Sequence, residues 1–430
     1  MKQRICGAVF LCAFFLSLSA RAWAFQLSDD FPEIHGFLEG AGGLKFKDGT
    51  TKHDDYNLLE ARLQLRGRYY PRDFLNRWTP EINVKGDFLL DGYFGGATDV
   101  SLRELNALIT PAHFMDIKLG RQVFTWGTGD YLFVNDVFPK DYVSFLIGRD
   151  DEYLKAPSDG VRISLYNKMA NLEVIAIPFF EPNVIPTGER LSFFDSFQQG
   201  IAGRESERVL IEPPRQPSNT EYALRAYRTF GSYEAALYGF YGFYKMPRGY
   251  KNEALRQLYY PGLSVYGASV RGPVAGGIGS LEAGYYDSRE DRKGDDRLIE
   301  NPSFKALCGY ERDLGNDLRV GVQYQYEQIL NYTEYQAALL AGDFFWDEYR
   351  HLITARLTKL LLRQTLHLSL FSFYSPSDHE VYLRPSATYD IKDNVELSIG
   401  ANLIWGDEDK TEFGQFEENT NVYMRVRISF

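Results

Sequence analysis

The residues able to do chemistry in this chain are few and scattered. His35, His53, His113, His351, His367 and His379 never stand beside a Ser or Cys at the spacing of a nucleophile and its base, and neither His-x-x-x-His nor Cys-x-x-Cys occurs. Without a Cys-x-x-Cys-His haem attachment the chain is not itself an electron carrier. The acidic runs Asp287 to Arg297 and Asp407-Glu408-Asp409 concentrate oxygen ligands, but they lack the alternating spacing of a calcium loop, and solvated charge is the simpler role. No catalytic residue, metal site or cofactor is expected, and the chain reads as a non-enzyme. What it does offer is charge, laid out with a period of two.

That period identifies the elements. In the stretch 59–69, Leu59, Ala61, Leu63, Leu65, Gly67 and Tyr69 fall on one side, while Glu60, Arg62, Gln64, Arg66 and Arg68 fall on the other. A helix, with 3.6 residues per turn, cannot sort them so; a strand must. Ile82, Val84, Gly86 and Phe88 oppose Glu81, Asn83, Lys85 and Asp87 in the same way. Val422, Met424, Val426, Ile428 and Phe430 oppose Asn421, Tyr423, Arg425, Arg427 and Ser429. Strands are expected to begin near residues 35, 57, 80, 99, 115, 159, 170, 221, 232, 263, 277, 303, 317, 349, 363, 380, 394 and 419. Every second connection is compact, and the intervening ones are mostly long and polar, among them 127–158, 179–220, 245–262, 287–302, 328–348 and 406–418. Sorting of loops by parity is a property of outer-membrane barrels. The expected fold is therefore all-β, a transmembrane antiparallel β-barrel of about 18 strands, or 16 if weak segments fail. Two places fit badly. Pro385 removes an N–H from the strand near 380, and the alternation slips at Gly120-Arg121-Gln122, where a bulge would restore it.

Export and composition agree with a barrel. Residues 1–24 have a basic start at Lys2 and Arg4, an apolar stretch from Ile5 to Leu18, and small residues at Ala22 and Ala24, the three parts of a cleaved secretory signal. Loss of Lys2, Arg4 and Arg21, with no acid in that segment, takes the formal charge from −11 to −14. Cys6 and Cys12 go too, leaving Cys308 without an internal disulfide partner. The acidic balance disfavours nucleic-acid binding. No apolar run beyond the signal approaches the roughly 20 residues of a spanning helix. Aromatics make up 15% of the chain while mean hydropathy is −0.32, so residence in a membrane requires a closed sheet. Residues 25–430 read as one outer-membrane barrel domain, with no room for an N-terminal plug or a separate periplasmic domain.

The ending Tyr423-Met424-Arg425-Val426-Arg427-Ile428-Ser429-Phe430 resembles the terminal strand of outer-membrane barrels, whose final aromatic is read by the barrel-assembly machinery. Leu119-Gly120-Arg121-Gln122, Trp126-Gly127 and Asn135-Asp136-Val137-Phe138-Pro139-Lys140-Asp141 resemble the midsection of porin-like outer-membrane families, similar in layout to alginate-export and substrate-specific porins of 18 strands. The resemblance implies that residues 127–158 dip into the lumen, bringing Asp130, Asp136, Lys140, Asp141 and Arg149 into a constriction. On the wall, Arg62, Arg66, Arg68, Arg425 and Arg427 would form a basic sector, because closure separates their two strands by the first strand alone, with Lys85, Glu60 and Asp87 lining the pore beside it. Alternatively these arginines pair with facing carboxylates and stiffen a wet wall, and 127–158 is a surface loop. The Pro-rich loop 179–220 is an external cover or the element that closes the pore.

The expected function is a porin-like channel for passive diffusion of small polar solutes, anions among them. The alternatives are an export conduit for an anionic polysaccharide, and a loop-closed sheath for a secreted or electron-carrying partner. Expected partners are outer-membrane lipid and lipopolysaccharide, the assembly machinery and small polar solutes. The sequence does not fix the oligomeric state.

Overall fold

A computed structural model describes residues 33–47, 49–71, 80–340, 343 and 345–430. The expected signal segment 1–24 lies outside the described residues.

The alternating stretches form eighteen antiparallel strands: β1 (Glu33–Lys45), β2 (Tyr56–Tyr69), β3 (Glu81–Asp91), β4 (Ala97–Ala112), β5 (Met115–Gln122), β6 (Ser158–Leu165), β7 (Asn171–Ile177), β8 (Glu221–Phe230), β9 (Tyr233–Phe243), β10 (Gly262–Val274), β11 (Gly277–Ser288), β12 (Ser303–Asp313), β13 (Leu318–Ile329), β14 (Tyr349–Leu361), β15 (Leu366–Ser375), β16 (Glu380–Lys392), β17 (Val395–Gly406) and β18 (Asn421–Ser429). Each pairs with its neighbours in sequence, and β1 pairs with β18 from Phe37–Ser429 to Lys45–Asn421, closing the sheet. Closure removes the edges that an open sheet would expose to lipid. Phe430 completes the seam: its N–H donates to the Gly36 carbonyl and its own carbonyl accepts from Gly36 N–H, both at 2.9 Å. The count is 18, and every strand begins within three residues of its expected start.

Loops sort by side as their spacing implied. One rim carries tight turns such as 113–114, 231–232, 275–276 and 393–394; the other carries 123–157, 178–220, 244–261, 289–302, 330–348 and 407–420. Segments 92–96 and 376–379 are short exceptions on the loop rim. Apolar members of each alternation face outward and the charged members inward. Leu63, for example, lies opposite Leu38 and Phe88, whereas Arg62 lies opposite Glu39 and beside Asp87.

Both awkward places have physical answers. At Gly120 there is no bulge: the ladders to β4 and β6 keep register through Leu105–Arg121 and Arg121–Asp159. Gly120 has φ +113, and a β-carbon there would run into the Leu105 carbonyl, so only glycine fits. Arg121 stays on the outward face, its Nη1 3.1 Å from Asp159. The register shift lies instead between β3 and β4, after Lys85–Glu104. Pro385 still lies opposite Leu370 on β15, while the ladder to β17 skips Arg384 and Pro385 and resumes in unchanged register at Ser386–Gly400.

Candidate functional site in the lumen

Segment 123–157, between β5 and β6, is rich in aromatic and aliphatic residues that cannot all face water. They bury against inward-facing wall side chains, which places the segment inside the barrel. Near β7–β11, Phe124, Trp126 and Phe138 pack with Ile175, Tyr238, Phe240, Val265 and Tyr286. Near β12–β18, Leu132, Val134 and the helix α1 (Tyr142–Ile147) pack with Leu307, Leu352, Phe373, Tyr382 and Tyr423. Each fully buried side chain of this size contributes about 1.5–3 kcal/mol, so the segment is a fixed part of the lumen. Asp141 caps α1, its Oδ1 accepting from Ser144 N–H at 2.8 Å. Gly148 ends the helix at φ +85, against the ring of Tyr423.

Around this apolar body lies a ring of ion pairs. Glu60 on β2 accepts from Arg149 Nε at 2.9 Å and Arg190 Nη1 at 3.0 Å, with Arg62 Nη2 at 3.4 Å. Arg62 also reaches Asp87 at 3.4 Å, and Gln64 Nε2 donates to Asp87 and to Tyr153 Oη. Lys85 pairs with Glu152 at 2.7 Å. Asp150 sits between Arg427, at 2.9 Å, and Arg425, at 3.6 Å, and Arg427 also holds Glu39 at 2.7 Å. Asp151 pairs with Arg384 on β16 and Asp130 with Arg356 on β14, both at 3.0 Å. Backbone N–H groups of Thr128 and Asn135 donate to Glu282 on β11 at 2.6 and 2.7 Å. Arg103 Nη2 donates to the Glu152 and Lys155 carbonyls at 2.9 and 3.0 Å. The loop is thus tied to β2, β3, β4, β11, β14, β16 and β18.

Titration follows these contacts. Burial works against the charged form of Asp150, yet Arg425 and Arg427 outweigh it and hold the carboxyl below its ordinary range. Burial likewise opposes the charge on Glu152, and the bond from Lys85 reverses the balance. Tyr131, beside Asp151, is pushed up to about 12, chiefly by burial.

The structure brings Glu60, Arg62, Asp87, Lys85, Arg425 and Arg427 together with Arg149, and Asp130 reaches the wall as well. It does not do so for the remaining candidates. Asp136 and Lys140 form a buried pair within the loop at 3.0 Å, where burial lowers the Lys140 pKa, and Asp141 is a helix cap. Arg68 pairs with Glu81 at 3.3 Å near the turn rim, away from the loop, and Arg66 donates to Gln64 Oε1 at 3.1 Å. Of the expected basic sector, Arg62, Arg68, Lys85, Arg425 and Arg427 therefore face carboxylates of wall or loop, while Arg66 meets the Gln64 amide. Less tightly paired cations lie elsewhere. Lys118 on β5 and Arg162 on β6 stand directly opposite on the lumen face, and among the described residues neither has a carboxylate at salt-bridge distance, although Glu104 and Glu81 act on Lys118 from farther away. Like charges so placed repel and attract anions.

Sequence reasoning missed Lys118, Glu39, Arg103 and Arg190. Lys118 had a signal, since it alternates with Ile117 and Leu119. Arg190 had none: it comes from loop 178–220, which lies across part of the mouth. Its guanidinium also bonds Asp91, Tyr93 Oη donates to the Glu189 carbonyl at 2.6 Å, and Ser192 N–H donates to Asn419 at 3.0 Å. Among the described residues no group of His, Cys, Asp and Glu is placed to hold a metal ion. In the acidic run, Asp291 accepts from the N–H groups of Gly294, Asp295 and Asp296 as a turn, and Asp287 pairs with Arg292.

No protein-family profile and no curated relative matches the sequence. Among solved structures, the barrel is similar to OccAB3 of Acinetobacter baumannii, with a TM-score of 0.54 and 9% identity over 93% of this chain and 99% of that one. It is similar to OccD3 (OpdP) of Pseudomonas aeruginosa, at TM-score 0.53 and 11% identity over 92% and 90% of the two chains. OpdL of the same organism gives 0.52 and 13% over 94% and 99%. At such identities the likeness is one of fold, that of an outer-membrane porin-type barrel.

Proposed function

We propose that this barrel is an outer-membrane channel for passive diffusion of small polar solutes, with a preference for anions. The observation that carries the reading is segment 123–157 folded into a closed 18-stranded barrel and bound by charge to its wall. A wall of this kind excludes apolar solutes and leaves selectivity to the residual charge. Three features support anions. Lys118 and Arg162 face the lumen with no carboxylate at salt-bridge distance among the described residues, Glu104 and Glu81 acting on Lys118 from farther away. Arg384 is 7% exposed while its partner Asp151 is 53% exposed, so the cation is fixed and the acid is the wetter, more replaceable member. Arg356 pairs with Asp130, another exposed loop acid, though there the two partners are about equally exposed. In this reading the loop rim is extracellular, residues 1–24 direct export, and Phe430 is the end read by the assembly machinery.

A second reading, a loop-closed structural barrel, is favoured by the two apolar clusters inside the lumen and by loop 178–220 across its mouth. Liposome swelling separates the two. Proteoliposomes holding the folded barrel should swell fastest with a small carboxylate, slower with a neutral solute of equal size and slowest with an ammonium. A barrel that keeps its heat-modifiable mobility on gels yet supports no swelling with any of the three refutes the channel.

A further inference from the structure

Loop 178–220 does more than cover the mouth, because its backbone completes the structure beneath it. At the neck of the lumen segment, residues 139–141 run beside 154–156: Asp141 N–H donates to the Leu154 carbonyl at 2.7 Å and Ala156 N–H to the Pro139 carbonyl at 3.1 Å. Loop 178–220 adds a third line, parallel to the first at Asp141–Val184. Val184 N–H donates to the Lys140 carbonyl and Tyr142 N–H to the Val184 carbonyl, both at 2.9 Å, while Lys140 N–H donates to Asn183 Oδ1 at 2.8 Å. Tyr142 is the first residue of α1, and the leading N–H groups of a helix have no partner within it. One of them is satisfied here by the covering loop.

The far end of α1 depends on the same loop. Arg149, just beyond the helix, and Arg190 of the loop share the Glu60 carboxylate, at 2.9 and 3.0 Å. Leu191 lies in the buried cluster that also holds Leu146 and Ile147 of α1. Residues 183–191 thus hold the helix at both ends and share its core. From there the loop fastens to the rim. Lys52 N–H and Tyr93 Oη donate to the Glu189 carbonyl at 2.9 and 2.6 Å. Asn419 brackets Ser192, accepting from its N–H at 3.0 Å and donating to its carbonyl at 2.8 Å. Among the described residues, Lys52, Tyr93 and Asn419 make no hydrogen bond to 123–157, so they bear on α1 through loop 178–220.

We propose that closure of the mouth by loop 178–220 and docking of α1 in the lumen are one coupled equilibrium, a gate whose outer and inner parts release together. The warrant is the groups they share. Lifting 183–191 leaves the Tyr142 N–H and the Lys140 carbonyl without these partners, and takes a cation from both Glu60 and Asp91. An independent cover would carry none of those costs, which fall on buried groups. Coupling between two sites is reciprocal, so whatever lifts the loop at the rim weakens the docking of α1 by the factor by which undocking α1 weakens the hold on the loop. As a gate the device rests on the channel reading; as a coupling it does not.

Amide hydrogen exchange of the folded barrel in mild detergent tests it, read by mass spectrometry over 140–149 and over 189–194 in the same sample. Asn419→Ala removes the bracket on Ser192, and Tyr93→Phe removes the hydroxyl that donates to Glu189. Each should speed exchange at 189–194 by about threefold to tenfold, and at 140–149 by a similar factor. Gly148→Ala drives a β-carbon against Tyr423; it runs the test from the other end and should loosen 189–194 along with α1. Amides of the β1–β18 seam serve as the control, and heat-modifiable mobility shows that each variant has folded. Faster exchange in one region with the other unchanged overturns the proposal. So does no change in either region in all three variants, because the ties named would then hold nothing. The readout is independent of conductance, so a non-conducting barrel refutes the channel without touching the coupling.

Discussion

Glu60→Gln is the most informative single change, because Glu60 is where the wall, the lumen segment and the covering loop meet. Its carboxylate lies within 3.4 Å of three guanidinium groups, those of Arg62, Arg149 and Arg190. Glutamine keeps the volume and can accept through its carbonyl, but removes the charge. Arg62 then retains Asp87 and Arg190 retains Asp91. Arg149 retains only Ser144 Oγ at 3.0 Å, and among the described residues it has no second carboxylate at salt-bridge distance. Breaking a buried pair from one side costs about 3–5 kcal/mol, and each 1.4 kcal/mol is about tenfold. The docked population of residues 142–155 relative to undocked should therefore fall by about a hundredfold to a few thousandfold. The barrel ladders are untouched, so heat-modifiable mobility should persist. Limited proteolysis should cut the segment in the variant and spare it in the parent, and single-channel records should become noisier. Equal protection and equal noise in a folded variant would refute Glu60 as the anchor of the loop.

Three further outcomes follow from the same geometry. Lys118→Glu with Arg162→Glu should move the reversal potential towards cation selectivity with the barrel still folded; unchanged selectivity would show that solutes do not pass this pair. Gly148→Ala forces a side chain into positive φ and against Tyr423, at about 1–2 kcal/mol for the backbone and about 1–3 kcal/mol for overpacking; it should loosen the loop as Glu60→Gln does, without changing any charge, and proteolysis reads both. Asp150 and Glu152 have carboxyls held below their ordinary range, so their contribution to loop docking is full above about pH 4 and is lost as pH falls through the depressed values. Protease protection should stay flat from about pH 8 to about pH 5 and weaken only in stronger acid; loss of protection on raising the pH would contradict the sign.

The strands were legible because their signal is local. Alternation such as Leu59 to Tyr69 and tight turns such as Gly231-Ser232 are written in adjacent residues, and the count of 18 and every strand start follow from them. The closure between β1 and β18 was legible as well, since a spanning sheet cannot leave edges. The lumen was only half legible. Parity singles out charges such as Arg427, but its partners, Glu39 and Asp150, lie 388 and 277 positions away. Loop residues give no periodic clue to their partners: Asp136 and Lys140, spaced four apart in a segment read as lining the pore, turn to each other instead. The slip at Arg121 was read as a defect in an otherwise regular wall. It is instead a residue that remains outward beside Asp159.

The central claim is tested most directly by single-channel recording of the refolded native protein in a planar bilayer under a KCl gradient. The account predicts stable conductance steps with an anion-selective reversal potential. A cation-selective reversal potential would contradict the assigned role of Lys118, Arg162, Arg356 and Arg384, and absence of conductance from a folded barrel would contradict the channel itself.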